Sequence, residues 1–254
     1  MKHPKPLGTL YLVPTPLDDG ASDNPIQEHL PTQTLRVAAK LQHWISENAK
    51  TTRAFLKRVD AVAALATHIQ NQHIQELPRA IHKSGDHRSD FDASPMLQAA
   101  LQGMDIGLVS EAGMPAIADP GSSVVRAAHR LGISVVPLVG PVSLLLALAA
   151  SGLNGQSFAF VGYVPTQAAE RSQKIKALED LARRTGQSQI LIETPYRNAA
   201  MLQALLQTLQ PSTRLATASG ITTPHAQYRS AEVHHWRAQG WVLDNQTPTV
   251  FVLG

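Results

Sequence analysis

The 254-residue chain contains no cysteine, which excludes a disulfide framework and any thiolate-bound zinc or iron–sulfur centre and suits a reducing compartment. Aromatic residues make up only 5 %, which leaves little surface for stacking against flat ligands. Charged residues stand at 16 % against 43 % hydrophobic ones, a balance that excludes disordered, collagen-like and heptad-repeat chains. The opening MKHPKPLGTLYLVP places charges and prolines where a secretory signal needs an unbroken apolar core, so a cytoplasmic location is expected. No Asp, Glu, Lys or Arg lies between Arg130 and Glu170, and Leu131 to Leu153 is long enough to span a bilayer. Its interior reads otherwise. The β-branched run ISVVPL, the break LVGP and the run SLLLALAASG resolve into a strand, a turn and a short helix, and no membrane contact is expected.

Missing motifs exclude further chemistries. No G-x-G-x-x-G follows the first strand-like run and no G-x-x-x-x-G-K-[ST] occurs, so the dinucleotide fingerprint and the P-loop are both absent. There is no G-x-S-x-G nucleophile elbow and no H-E-x-x-H. The eleven histidines, His234 and His235 among them, fall into no ligand spacing, and no metal is expected.

The charge that is present is unevenly placed. Net charge is +3, yet residues 36–58 hold Arg36, Lys40, Lys50, Arg53, Lys57 and Arg58 against Glu47 alone. Lys50, Arg53 and Lys57 fall at helical spacing and share one face. Such a face tracks phosphates on a nucleic acid, although a solvated helix shows the same pattern.

Strand-like runs alternate with amphipathic helices along the chain, which predicts an α/β protein with largely parallel sheets. Strands are expected at 8–14, 44–47, 105–110, 133–138, 158–164, 188–193, 214–218 and 249–254. Phe55, Leu56, Val59, Val62, Ala63 and Ala66 predict a long helix running to about Leu77 and stopped by Pro78. Residues 83–92 read as a polar loop without structure of its own. Ile175, Leu178, Leu181 and Ala182 mark one buried helical stripe, and Met201, Leu202, Leu205, Leu206 and Leu209 another. Residues 222–246 fit strands and turns better than a helix, which predicts a mixed second sheet. Two domains are expected, 1–138 and 139–254.

Ligands of open α/β sheets bind beyond the carboxyl ends of the strands, so the loops there are the candidates. They are Pro14-Thr15-Pro16, Ser110 to Gly121, Val139 to Ser143, and Glu193-Thr194-Pro195-Tyr196-Arg197. Their prolines and glycines stiffen the backbone and let main-chain groups come close to a ligand.

These loops carry a resemblance. LYLVPTP, SENAKTT (46–52), IGLVSEAGMPAIADPG, VVPLVGPVSLLLALAASGL, FVGYVP and ETPYR, in that order, closely resemble the tetrapyrrole-methylase superfamily, and within it the bacterial 16S ribosomal RNA ribose 2′-O-methyltransferases. The resemblance covers most of the chain and is strongest from Ile106 to Pro165. It implies two α/β domains with a parallel amino-terminal sheet, a mixed carboxy-terminal sheet and S-adenosylmethionine in the cleft between them. It also implies a homodimer. The cofactor would touch Pro14, Thr15, Ser110, Glu111, Ala112, Gly113, Ser143, Ile192, Glu193 and Ala218, with Pro248 and Thr249 near the adenine. It makes RNA the favoured acceptor, reached through the basic 36–58 segment. A ribose hydroxyl gains from a general base or a cation that stabilises the alkoxide, and Glu111, His87 and Lys50 are the candidates.

The chain also departs from that branch. Its Ala-Glu-Asp-Thr-Arg is replaced by Ser46, Glu47, Asn48, Ala49 and Lys50, and its Ser-Asp-Ala-Gly-Thr-Pro by Ser110, Glu111, Ala112, Gly113, Met114 and Pro115. His87, Arg88 and Ser89 stand for its His-Asn-Glu. Ala218, Ser219, Gly220, Ile221, Thr222 and Thr223 stand for its Ala-Arg-Glu-Leu-Thr-Lys, which removes two cations and an acid. The donor side thus reads as kept and the acceptor side as altered. The alternatives are a methyltransferase acting on a tetrapyrrole or another small molecule, and a cofactor-binding protein that has lost catalysis.

Overall fold

A computed structural model describes residues 6–18, 24–84, 86 and 91–254. The chain separates into two compact units, Met1–Val142 and Ser143–Gly254. The first runs β1 (Thr9–Leu12), α1 (Thr32–Lys40), β2 (His43–Ser46), α2 (Ala49–Asp60), β3 (His73–Glu76), α3 (Arg79–Ser84), α4 (Gln98–Leu101), β4 (Ile106–Val109), α5 (Ser122–Arg130) and β5 (Ser134–Pro137). Among the described residues its sheet has five strands, all parallel, in the order β3-β2-β4-β1-β5.

Apolar side chains cover this sheet on both faces. Leu35 and Ala38 of α1 and Leu56 and Val59 of α2 pack with Trp44 and Val109. Ala100 of α4 and Val124, Ala127 and Ala128 of α5 pack with Ile45 and Leu108. Adjacent residues of one strand therefore serve opposite layers, the two-residue period of extended backbone. The central strand β4 is buried at all four positions, as a strand covered on both faces must be.

Strand order fixes where a ligand can approach. The chain leaves β1 past β4 to reach β2, and leaves β4 past β1 to reach β5. Neighbours whose connections depart in opposite directions form a topological switch point, where a crevice opens beyond the strand ends.

The second unit runs α6 (Ser143–Ser151), β6 (Phe158–Gly162), α7 (Ala168–Thr185), β7 (Ser188–Ile192), α8 (Asn198–Thr208), β8 (Arg214–Ser219), β9 (Gln227–Glu232), α9 (Val233–Gln239) and β10 (Thr249–Leu253). Its sheet, β6-β7-β10-β8-β9, is parallel only between β6 and β7 and antiparallel elsewhere. Ile175, Leu178, Leu202, Leu205 and Trp236, from α7, α8 and α9, pack with Leu191, Leu215 and Phe251. Two α/β units with a parallel and a mixed sheet are the fold class expected from the sequence. The charge-free 131–169 run begins with β5, a turn and α6, and no helix among the described residues is long and apolar enough to cross a membrane.

Three local expectations are corrected. The long helix through Leu77 stops at Asp60, whose carboxylate accepts the Leu65 N–H at 3.0 Å. Val62, counted on its apolar stripe, is exposed, and residues 73–76 add to the sheet edge as β3. Pro78 precedes α3 rather than ending a helix, its carbonyl accepting the Ile81 N–H at 3.0 Å. Within 222–246 lies α9, held by only two buried residues, Val233 and Trp236, with the Trp236 indole donating to the Leu215 carbonyl at 2.8 Å. Two side chains three apart are too short a pattern to read as a helix.

Candidate functional site

At the switch point the loops after β1 and β4 are joined. The Thr15 N–H donates to the Gly113 carbonyl at 3.0 Å and the Gly113 N–H returns the bond at 3.1 Å, an isolated antiparallel bridge. Gly113 takes φ +75°, a backbone that side-chain-bearing residues avoid. Pro14 lies against Gly140, where a Cβ would come within 2.2 Å of the proline Cγ. Pro14, Thr15, Ser110 and Gly113 thus form one rim with the 139–141 turn. Glu111 and Ala112 stand exposed on it.

Carboxylates gather at this rim. Asn48 starts α2 by accepting the Lys50 N–H at 2.9 Å, and its amide donates to Glu111 at 2.9 Å. Glu47 accepts the Glu111 N–H at 3.3 Å, and Glu76 accepts the Ala49 N–H at 2.7 Å. Asp119 completes the group. Burial, then Glu47 and more weakly Glu111, push its carboxyl up to about 7. The sequence reading passes over Asp119, although it quotes the Ala-Asp-Pro-Gly around it. The one local signal is an Asp in a proline- and glycine-rich loop after a buried strand. Ala116 and Ala118, at φ 65° and 64°, hold that loop in left-handed backbone, a strain that gathers at functional sites.

The other two catalytic candidates differ in standing. Lys50 is exposed on the first turn of α2. His87 lies outside the described residues, as do Arg88 and Ser89. Their neighbour Asp86 is firmly placed. Its carboxylate accepts the N–H groups of Gly121 and Ser123, both at 2.8 Å, and the Ser122 hydroxyl at 3.0 Å, capping α5 from a distance. The 83–92 segment is therefore anchored here, and it is not a loop without structure throughout. In the basic segment, Arg36, Lys40, Lys50, Arg53 and Lys57 are exposed, whereas Arg58 is engaged by Asp18.

In the second unit the strand register collects the predicted residues. Val250 pairs with Ile192 on one side and Ala218 on the other, and Thr249 pairs with Ser219. Ile192, Glu193, Ala218, Pro248 and Thr249 therefore share one end of the sheet. Asn198, fully buried at the start of α8, donates to the Thr247 carbonyl at 2.7 Å and to Thr249 Oγ1 and the Asp244 carbonyl at 3.2 Å. Asp244 accepts the N–H groups of Gln246 at 2.8 Å and Thr247 at 2.6 Å, which hold its carboxyl below the usual range. Glu193 is buried, pairs with Arg197 at 3.3 Å and caps the Thr194 N–H at 2.9 Å. In the altered 219–223 segment Ser219 and Thr249 share a 2.8 Å hydroxyl bond, and the Thr223 hydroxyl donates to Gly220 at 2.7 Å. Ser143 is the first residue of α6.

Comparison with known proteins gives concordant results. The family profile described as Tetrapyrrole (Corrin/Porphyrin) Methylases matches residues 49–234. The chain is 32 % identical over 199 residues to ribosomal RNA small subunit methyltransferase I of Halalkalibacterium halodurans, covering 78 % of this chain and 60 % of that protein. It is 30 % identical over 213 residues to the protein of that name from Vibrio cholerae, covering 84 % and 65 %. For the Bacillus subtilis protein the values are 28 % over 249 residues, 97 % and 74 %. The chain thus spans less than two thirds of the length of the first two relatives. In fold it is similar to the crystal structure of uroporphyrin-III-C-methyltransferase from Thermus thermophilus, with a TM-score of 0.54 at 20 % identity, covering 97 % of this chain and 94 % of that one.

Proposed function

The chain belongs to the tetrapyrrole methylase family, and from that premise we propose that it is an S-adenosylmethionine-dependent methyltransferase of small-subunit ribosomal RNA, acting on a ribose 2′-hydroxyl. The observation that carries the reading is its similarity along most of its length to proteins named ribosomal RNA small subunit methyltransferase I. The proposed donor contacts are Pro14, Thr15, Ser110, Glu111, Ala112 and Gly113 in the first unit. In the second they are Ser143, Ile192, Glu193, Ala218, Pro248 and Thr249.

The residues present suit that donor. A sulfonium is a cation, and the rim of the first unit carries Glu47, Glu111 and Asp119 with no arginine or lysine paired to Asp119 among the described residues. The strained, glycine-containing turn at 113–121 gives backbone groups the close approach that a small cofactor needs. The donor supplies an already activated methyl group, so the protein has to align the two partners, exclude water and manage one proton. Glu111 and Lys50 supply the charges flanking the acceptor in this reading, and His87 a third polar group. The exposed cations Arg36, Lys40, Lys50, Arg53 and Lys57 supply the RNA-facing surface.

Homodimerisation and a cytoplasmic location belong to the same reading. On α6, Leu145 and Leu146 are exposed, as are Phe158 and Phe160 of the edge strand β6, apolar side chains that a partner copy would cover. Domains of 1–138 and 139–254 belong to this reading too, four residues before the division between the compact units at Val142 and Ser143.

Titration calorimetry of the purified chain with S-adenosylmethionine and S-adenosylhomocysteine is the first test, with micromolar binding expected. Labelled methyl transfer to small subunits lacking the modification, followed by nuclease digestion, then identifies a 2′-O-methyl nucleoside. Binding with no transfer to RNA overturns the reading in favour of a cofactor-binding protein or a small-molecule methyltransferase.

A further inference from the structure

Three of the chain's four tyrosines stand at one end of the second sheet, and all three are exposed. Tyr163 directly follows β6 and is 57 % exposed, and Tyr196 follows β7, in the turn before α8, at 69 %. Tyr228 is the second residue of β9 and is 47 % exposed. β6 and β7 run parallel, β10 runs against β7, β8 against β10, and β9 against β8. The carboxyl ends of β6 and β7 and the start of β9 therefore fall on the same side. The core of this unit takes its buried aromatics from elsewhere, Trp236 and Phe251, so packing does not account for the three exposed rings.

The strand register sets Tyr228 beside the proposed donor contacts. Tyr228 pairs with Ala218, Ala218 with Val250, and Val250 with Ile192. Residues paired across a sheet share a face, so these four form one row, buried at Val250 and Ala218 and open at Tyr228. One row further in, the Ser230 hydroxyl donates to the Ser151 carbonyl at 2.6 Å, so the end of α6 covers that row while Tyr228 is left open. The four strand-to-strand steps from β6 to β9, at about 4.8 Å each, make this end of the sheet roughly 19 Å wide. Charge is scarce along it. Glu193 is taken up by Arg197 at 3.3 Å, the Asp244 carboxylate accepts the Gln246 and Thr247 N–H groups, and residues 219–223 hold no charged side chain. At the start of α7, Arg171 and Lys174 stand against Glu170, a small positive balance. Such a surface holds a nucleic acid through the faces of its bases more than through its phosphates.

Resting on the RNA methyltransferase reading above, we propose that Tyr163, Tyr196 and Tyr228 form a stacking platform for unpaired bases of the substrate RNA, with Tyr228 taking the base next to the donor contact at Ala218. A base inside a duplex has no free face, so the platform selects a loop or bulge over a paired stem. Every base has a π-face, so stacking supplies affinity and position without reading sequence. It also releases few counterions, unlike the exposed cations of residues 36–58, and salt therefore separates the two surfaces. Rings at this end supply holding energy beside the 219–223 segment, where the sequence carries no cation.

Fluorescence anisotropy of the purified chain tests this, with a fluorescein-labelled unpaired oligoribonucleotide and the same strand annealed to its complement. Titrations span about 50 to 200 mM salt. The wild type is expected to prefer the unpaired strand. Tyr163→Ala, Tyr196→Ala and Tyr228→Ala are each expected to weaken that binding by about fivefold or more, the low end of what one stacked base contributes, with the salt slope unchanged. Tyr228→Phe keeps the ring and is expected to recover most of what alanine loses. Arg53→Ala is expected to behave differently and to lower the slope. Unchanged affinity in the Tyr196→Ala/Tyr228→Ala double variant overturns the proposal. So does a loss that Tyr228→Phe shares, which assigns the effect to the hydroxyl. A loss confined to S-adenosylmethionine affinity in calorimetry, or one that comes with a changed sedimentation coefficient, overturns it in favour of a donor contact or a partner-copy contact. Failure of the functional reading is seen separately, in a wild type that transfers methyl to no RNA. RNA that is methylated and bound with full affinity by the double variant overturns the platform alone.

Discussion

Arg58 and Asp18 meet in a two-pronged ion pair, Nη1 to Oδ1 at 2.8 Å and Nη2 to Oδ2 at 2.7 Å, with Asp18 buried. The same guanidinium donates to the Asn24 carbonyl at 3.0 Å, so it ties α2 to the segment after β1. Removing one partner of a buried pair leaves an uncompensated charge and costs about 3–5 kcal/mol. Arg58→Ala is therefore expected to destabilise the first unit by that order in urea unfolding. Arg53→Ala and Lys57→Ala, on the exposed face of the same helix, are expected to change stability by less than about 0.5 kcal/mol. Each is expected instead to lower the salt dependence of RNA binding by about one unit of slope. Equal effects of all three on folding would refute this division of the basic segment.

Gly113 links the loop after β1 to the loop after β4 through backbone alone, at φ +75°. A Cβ there would lie 3.0 Å from Leu17 Cδ2 and 3.5 Å from the Pro141 carbonyl oxygen. The leucine end can move aside, so the cost to folding is mainly the left-handed backbone, roughly 1–2 kcal/mol for a residue with a side chain. Gly113→Val is expected to keep its circular dichroism spectrum while losing at least tenfold in S-adenosylmethionine affinity by calorimetry. Unchanged affinity would displace the donor site from this rim.

Where the sequence was readable, one dominant physical signal carried each element. The runs IGLV and SQILI could only be strands buried on both faces, and the stripe Ile175, Leu178 and Ala182 only one side of a helix. The pairing of Ala218, Val250 and Ile192 into one sheet end follows once β10 lies antiparallel between β7 and β8. Reading failed where local pattern and tertiary demand diverge. Residues 73–76 carry little apolar pattern, yet they form an edge strand beside Trp44, whose indole is held at 3.0 Å by Gln72. Asp119 was invisible for another reason. Its raised pKa comes first from burial and then from Glu47 and Glu111, contributed by two different strand ends, and no spacing in the chain encodes that meeting.

Asp86 offers a test of long-range capping. It is buried, and burial alone would raise its pKa, but hydrogen bonds from Ser123, Gly121 and Ser122 outweigh that and hold it below the usual range. Asp86→Ala is expected to cost about 1–3 kcal/mol and to speed amide exchange through the first turn of α5. Because the folded pKa is depressed, the stabilisation is present above the unfolded carboxylate value and is lost as pH falls through the folded one. The stability gap between wild type and Asp86→Ala should therefore stay constant from pH 5 to 8 and close under acid conditions. A gap that widens in acid would contradict the hydrogen-bond pattern.

Asp119 has the opposite sign. Its carboxyl is pushed up to about 7 from its ordinary value of 3.8, first by burial and then by Glu47. Between those two values the folded protein holds a proton that the unfolded chain has lost, so stability falls as pH rises across the window. Below the window both states are protonated and nothing is lost, and above it the full penalty persists. Each pH unit of displacement corresponds to about 1.36 kcal/mol, which sets the whole penalty at a few kcal/mol at most. Asp119→Asn, near in shape to the protonated acid, is expected to match the wild type at pH 4 and to exceed it in urea unfolding at pH 8. Glu47→Gln is expected to gain part of the same stability, because it removes the nearest like charge. A carboxyl kept buried beside like charges behaves this way, whereas an ordinary surface aspartate gives two superimposable pH–stability curves.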